Sequence, residues 1–153
     1  LRANGMEDVF QILAKMGHSA LVARFAVDCA ARVSHLMTDT RSTTVLDVTR
    51  RFLDGDATRE EMTVAVYAAE AAYAASESAN AANAAYAAYS ASEAALAAAI
   101  VAYVASDAAE AAAKADGDYL AEQAWQHQRL IEITGGTTHT SPGQTAMGNG
   151  DNQ

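Results

Sequence analysis

The chain has one proline and one cysteine in 153 residues, and aromatic residues make up 7% of it. A lone thiol closes no internal bridge, so disulfides cannot hold this fold together. Cys29, set among Phe25, Ala26 and Val33, is expected as a buried, reduced side chain. Long apolar runs are also missing. The longest uncharged greasy stretch, residues 94–105, is too short and too alanine-rich to span a bilayer, and no N-terminal stretch has the regions of a signal peptide. The expectation is a cytoplasmic protein with no membrane segment, long enough to bury roughly two thirds of the surface of its unfolded form.

Basic charge is scarce overall, and its distribution matters more than its total. The formal net charge is −9, but residues 1–53 carry seven Lys/Arg against five Asp/Glu, residues 54–122 two against twelve, and residues 123–153 one against two. A middle with ten surplus negative charges repels nucleic acid and favours a basic protein partner through faster encounter and exclusion of wrong partners. Solubility is the plainer use of the same charge, since an alanine-rich helix has few other polar side chains.

What is present in abundance is alanine. Across residues 65–115 most positions are Ala, with no Gly or Pro to interrupt them, a composition that favours helix and excludes strand. As one helix the stretch would reach about 75 Å at 1.5 Å per residue, too long for so small a domain, so it is expected to fold back. Residues 76–80 are the favoured break, because Ser and Asn compete with the backbone for hydrogen bonds there; residues 90–92 and 106–107 are weaker candidates. Tight pairing of alanine faces needs large plugs, which Tyr67, Tyr73, Tyr86, Tyr89 and Tyr103 can supply. An ice-binding helix would need regularly spaced Thr and a heptad coiled coil larger seam residues; neither pattern occurs.

Elsewhere, the helical spacing of the apolar residues Val9, Ile12, Leu13 and Met16 marks a first helix, closed by Gly17. A second helix, capped by Ser19, carries Val22, Phe25, Ala26, Cys29, Val33, Leu36 and Met37 on one stripe, with Arg24, Asp28 and Arg32 beside it. A third, with Val45, Val48 and Phe52, ends at Gly55. Thr58 and Glu61 form a capping box for the next. Asp116, Gly117 and Asp118 close the alanine-rich region, and residues 119–133 form a last helix offering Leu120, Ala124, Trp125 and Ile131 to the core. The expected architecture is all-α, a compact bundle of about six helices around an alanine-rich central hairpin. It comprises residues 1–6 as an extension in which Met6 is a candidate start, 7–133 as one helical domain, and 134–153 as a flexible Gly/Thr/Ser-rich tail.

No assembled chemistry is visible. His18, His35, His127 and His139 are scattered without metal-motif spacing, and no phosphate-cradling loop, nucleophile elbow or dinucleotide fingerprint occurs. No catalytic residue, cofactor or metal is therefore expected. Arg24, Asp28 and Arg32, at four-residue steps, read as an intrahelical ion-pair ladder, and Arg50 and Arg51 as a solvated face. The candidate partner-binding residues are Glu70, Tyr73, Glu77, Tyr86, Tyr89 and Glu93, because tyrosine is a favoured interface anchor and these rings stand among carboxylates. Arg24, Phe25, Asp28, Cys29, Arg32 and Trp125 are expected to be structural.

Three segments carry a resemblance: Arg24-Phe25-Ala26-Val27-Asp28-Cys29-Ala30-Ala31-Arg32-Val33, then Arg51-Phe52-Leu53-Asp54-Gly55, then Glu122-Gln123-Ala124-Trp125-Gln126-His127-Gln128-Arg129-Leu130. Together, over roughly residues 19–131, the chain resembles the immunity proteins of bacterial polymorphic toxin systems, Imm-5 type. The resemblance implies an all-helical cytoplasmic protein that binds and blocks a toxin, a nuclease among the possible targets. Where that family's alanine-rich helices carry Gly-His and Thr-x-His elements, this chain has Tyr86, Tyr89, Ser90 and Ser92, so a partner surface here must use other side chains. The other reading of the residues is a small structural or assembly component, such as part of a phage particle, that uses its Ala/Tyr faces for self-association. Both readings exclude direct nucleic-acid binding.

Overall fold

In a computed structural model, which describes residues 4–97 and 100–135, the chain forms seven α-helices and no strand among the described residues. They are α1 (Asn4–Lys15), α2 (Ser19–Arg32), α3 (Thr40–Asp54), α4 (Arg59–Ala74), α5 (Ala79–Leu96), α6 (Val101–Asp116) and α7 (Tyr119–Ile133), with a 3-10 turn at Ser34–Leu36 after α2. No described helix is long and apolar enough to cross a membrane. The tail beyond 135 and the first three residues of the expected extension lie outside the described residues; Asn4, Gly5 and Met6 belong to α1.

Local chemistry sets most boundaries. Gly55 and Gly117 adopt φ values of 87° and 82° after α3 and α6, a left-handed turn that costs other residues a Cβ clash. The Thr58–Glu61 capping box is formed reciprocally, with Thr58 N donating to Glu61 Oε2 at 2.7 Å and Glu61 N to Thr58 Oγ1 at 3.1 Å. Ser78 caps α5 by accepting from Ala81 N, so the favoured break at 76–80 is where α4 gives way to α5. Three boundaries differ. α2 stops at Arg32, so Leu36 and Met37 of its expected stripe lie in and just after the 3-10 turn. His18, not Ser19, occupies the N-cap of α2 and makes no side-chain cap bond. The alanine-rich region breaks a second time between Leu96 and Val101, whereas Ser90, Ser92 and Ser106 lie inside helices. Ser92 Oγ donates to Tyr89 O one turn back at 2.6 Å, which satisfies the hydroxyl without breaking the helix.

α5 and α6 are consecutive and make the most extensive helix contact in the molecule. Both helices bury mostly alanine: Ala84, Ala87, Ala88 and Ala91 on α5, and Ala105, Ala108, Ala109 and Ala112 on α6, are all 0–1% exposed. Each contributes little apolar area, so the stabilisation comes from backbone proximity and dispersion. α2 lies against both, adding Val22, Phe25, Ala26, Cys29 and Ala30; α3 and α4 cover α5, and α1 covers α6. The large plugs are Phe10, Phe25 and Met62, with the two phenyl rings 5.2 Å apart. Only two of the expected tyrosine plugs reach the core: Tyr86 and Tyr89 are partly buried against it, whereas Tyr67, Tyr73 and Tyr103 are exposed.

Two helices turn a different face inward than their apolar spacing suggested. α1 buries Phe10 and packs Met6, Leu13 and Ala14 on the core, leaving Val9, Ile12 and Met16 exposed. Two apolar stripes compete on this helix, and the one carrying the largest ring is buried. In α7, Leu120 and Ile131 are exposed, as is Ala124, and the buried residues are Glu122 and Gln126. Trp125 is partly buried against the core.

Candidate protein-interaction face

Alanine-rich helices have narrow surfaces, so their few large side chains protrude and determine what a partner meets. On α4 and α5 the rings of Tyr73 and Tyr86 lie 5.1 Å apart and those of Tyr86 and Tyr89 6.2 Å apart, forming a row across both helices. Spacings of this size with tilted planes are favourable aromatic contacts. Tyr89 stands next to Glu93 and within the field of Glu70; burial first, then these carboxylates, push its phenol up to about 12. Tyr86 is also raised, by burial and then by Asp107 and the neighbouring Tyr103, against the opposing hydrogen bond with Ser90. Both phenols stay neutral donors across the physiological range.

Asp107 on α6 extends the acidic side of this row. Tyr86 Oη donates to its Oδ2 at a long 3.4 Å, and burial, followed by Glu110 and by Glu7 from α1, raises its carboxyl above the ordinary aspartate value. Tyr73, Asn83, Tyr86, Asp107, Glu110 and Lys114 line a hollow of about 270 Å³ here. Lys114 is paired with Glu110 at 2.7 Å, and no described cation lies within ion-pair distance of Asp107. Of the six partner-binding candidates, the fold thus gathers Glu70, Tyr73, Tyr86, Tyr89 and Glu93. Glu77 lies instead in the α4–α5 turn, at a separate hollow shared with Thr38, Asp39, Thr40, Ser76 and Ser78. Asp107 and Glu110 were not among the candidates, although Tyr103, Asp107, Glu110 and Lys114 recur at helical spacing on one stripe of α6.

Of the residues expected to be structural, Asp28, Arg32 and Trp125 meet where α2 packs on α7, while Arg24 reaches α3 and Phe25 packs on Phe10 of α1. The Arg24–Asp28–Arg32 ladder does not pair internally. Arg24 binds Asp54 at 2.7 Å, Asp28 accepts from Arg129 Nε and Nη2 at 2.9 and 2.7 Å, and Arg32 Nε donates to the fully buried Glu122 at 2.8 Å. Gln126 Nε2 donates to Ala109 O and to Glu122 Oε1, and the Arg32 guanidinium stacks 4.3 Å from the Trp125 ring centroid. Arg24 faces α3 while Asp28 and Arg32 face α7, so each meets an oppositely charged group from another helix instead of its neighbour along α2. Cys29 is completely buried beside this network, and burial, then Glu122 and Asp28, hold its thiol well above the ordinary value. A thiol so placed is a poor nucleophile.

Among the described residues, no group of three or more His, Cys, Asp or Glu side chains could hold a metal ion. His18 is exposed at a helix start, and His35 Nδ1 lies 3.1 Å from Arg32 O; His139 lies outside the described residues. No family model, no curated protein and no solved structure matches this chain.

Proposed function

We propose that this chain is a non-catalytic protein-binding module, and that the tyrosine row with Glu70, Glu93 and Asp107 docks a basic protein. The observation that carries this reading is the aromatic row itself. Three phenols lie side by side across two alanine-rich helices, Tyr73 exposed and Tyr86 and Tyr89 partly buried, beside Glu70, Glu93 and Asp107, which make no ion pair among the described residues. Rigid aromatic anchors with a charged rim are what a protein partner of opposite charge recognises. The resemblance of the α2, α3 and α7 segments to immunity proteins supports a more specific version, in which the partner is a bacterial toxin, the chain is its inhibitor and both meet in the cytoplasm.

The test uses the chain as bait at low and at high salt, beside a Glu70→Gln, Glu93→Gln, Asp107→Asn variant with the same helical circular dichroism. A basic protein should be retained at low salt, released at about 1 M salt, where the Debye length falls to about 3 Å, and lost with the variant. Retention of no basic protein, or equal retention by the variant, overturns the reading.

Self-association is the second reading, favoured by one observation: Val9, Ile12 and Met16 form an exposed apolar stripe on α1, at 38%, 58% and 65% exposure. Light scattering decides it, since a monomer across concentrations removes a self-assembling role.

A further inference from the structure

Resting on that proposed function, we infer that the hollow between α4, α5 and α6 is the seat of an arginine side chain of the basic partner. Its walls are the rings of Tyr73 and Tyr86, 5.1 Å apart and tilted by 47°. Its far side carries Asp107 and Glu110, and its volume of about 270 Å³ is ample for a guanidinium. The two kinds of wall serve one ligand. A guanidinium is planar and weakly hydrated, so one face stacks on a phenol while its edge presents several N–H donors to carboxylate oxygens. An ammonium, compact and strongly hydrated, gains less from the rings.

The molecule already holds a cation at this place. Lys114 pairs with Glu110 from within the chain, which satisfies one carboxylate and leaves the other. Asp107 is half-buried, has only the long hydrogen bond from Tyr86 Oη, and feels Glu110 and Glu7 as like charges that Lys114 offsets in part without pairing with it. A carboxylate in that setting gains from any cation brought to it, because burial weakens solvent screening. Within the tyrosine row this is where an aromatic face, a carboxylate without an ion-pair partner and an open hollow coincide, which makes it the anchor position of the acidic face.

The experiment titrates the full chain, followed by NMR, with an amidated peptide of alternating glycine and arginine, its citrulline counterpart and its lysine counterpart. The arginine peptide should shift the ring signals of Tyr73 and Tyr86 and the Ala111 methyl, and the citrulline peptide should leave them in place. The lysine peptide should bind more weakly. Asp107→Asn and Tyr73→Leu should each weaken arginine-peptide binding about tenfold, while Asp56→Asn, an exposed carboxylate in the α3–α4 turn, should change it less than about twofold. Equal weakening by Asp107→Asn and Asp56→Asn, equal affinity for the lysine peptide, or shifts confined to other residues would overturn the pocket. Arginine-peptide binding elsewhere on the acidic face, with a basic protein still captured, removes only the pocket. Failure of both the titration and the salt-dependent capture removes the proposed function with it.

Discussion

α6 and α7 both pack against α2, and they do so by opposite chemistry. α6 buries Val104, Ala105, Ala108, Ala109 and Ala112 nearly or fully beneath its neighbours α2 and α5, so that helix approaches helix with little between the backbones. α7 buries no apolar side chain completely. Its buried residues are Glu122 and Gln126, and its link to α2 runs through Arg32–Glu122, Arg129–Asp28 and the stack of Arg32 on Trp125. The first kind of contact depends on volume and hardly on charge. The second tolerates small changes of shape but depends on partners remaining complementary. The helix contacts within the alanine core should therefore open only with the whole fold, whereas α7 should open locally at lower cost.

Overpacking should have the largest effect. Ala108→Leu, or Ala88→Leu on the facing helix, inserts three carbons where there is no room and should destabilise by about 3 kcal/mol, lowering Tm by about 10 °C in thermal circular dichroism. A loss below about 0.5 kcal/mol would mean that the alanine contact is looser than its burial implies. Glu122→Gln comes next. It keeps the shape and can keep the Gln126 contact but removes the charge paired with Arg32. The full cost of breaking a buried pair does not apply, because Arg32 is 42% exposed and partly screened. About 1.4 kcal/mol is expected, a tenfold rise in α7 opening. Cys29, the only cysteine, lies beneath the network and reports it directly: its alkylation rate should rise about tenfold while amide exchange in α5 and α6 is unchanged. Equal acceleration of exchange in both regions would abolish the distinction drawn between them.

Arg32→Lys should be milder, below about 1 kcal/mol, since an ammonium still pairs with Glu122 but loses the planar stack on Trp125. The smallest expected effect concerns the rim of α6. The Asp107 carboxyl is raised in the folded protein, so its contribution to stability is fully present below the unfolded aspartate value and is lost as pH rises through the folded value. Asp107→Asn should thus be neutral or slightly stabilising at pH 7, and that advantage should vanish in acid. Asp39 runs the opposite way. Its hydrogen bonds to Arg41 hold it at about 2, so its contribution is present above the unfolded value and is lost as pH falls toward 2. Denaturant melts at several pH values distinguish the two signs.

Much of this molecule was legible along the chain because its determinants are local. The capping box at Thr58 and Glu61, the glycines that end helices at 55 and 117, the break at residues 76–80 and the bounds of α7 each depend on residues within about one helical turn. The core stripe of α2 was equally plain, since large and charged residues alternate there at helical spacing. The gathering of Glu70, Tyr73, Tyr86, Tyr89 and Glu93 followed from periodicity once α4 and α5 were paired.

Other features had no local signature. The break after Leu96 falls among alanines, which favour helix equally on either side, so only the gain from pairing two alanine faces sets the reversal. α1 has two apolar stripes, and the neighbour that receives Phe10 chose between them. α7 looked apolar along Leu120, Ala124 and Ile131, yet it turns Glu122 and Gln126 inward, because Arg32 and the Ala109 carbonyl await them. The sequence by itself determined that helices form, where most of them stop, and that the middle is acidic, since propensity, capping and charge act over a few residues. The tertiary structure alone decided which face each helix buries and which charges meet, because those outcomes depend on groups as many as 101 residues apart.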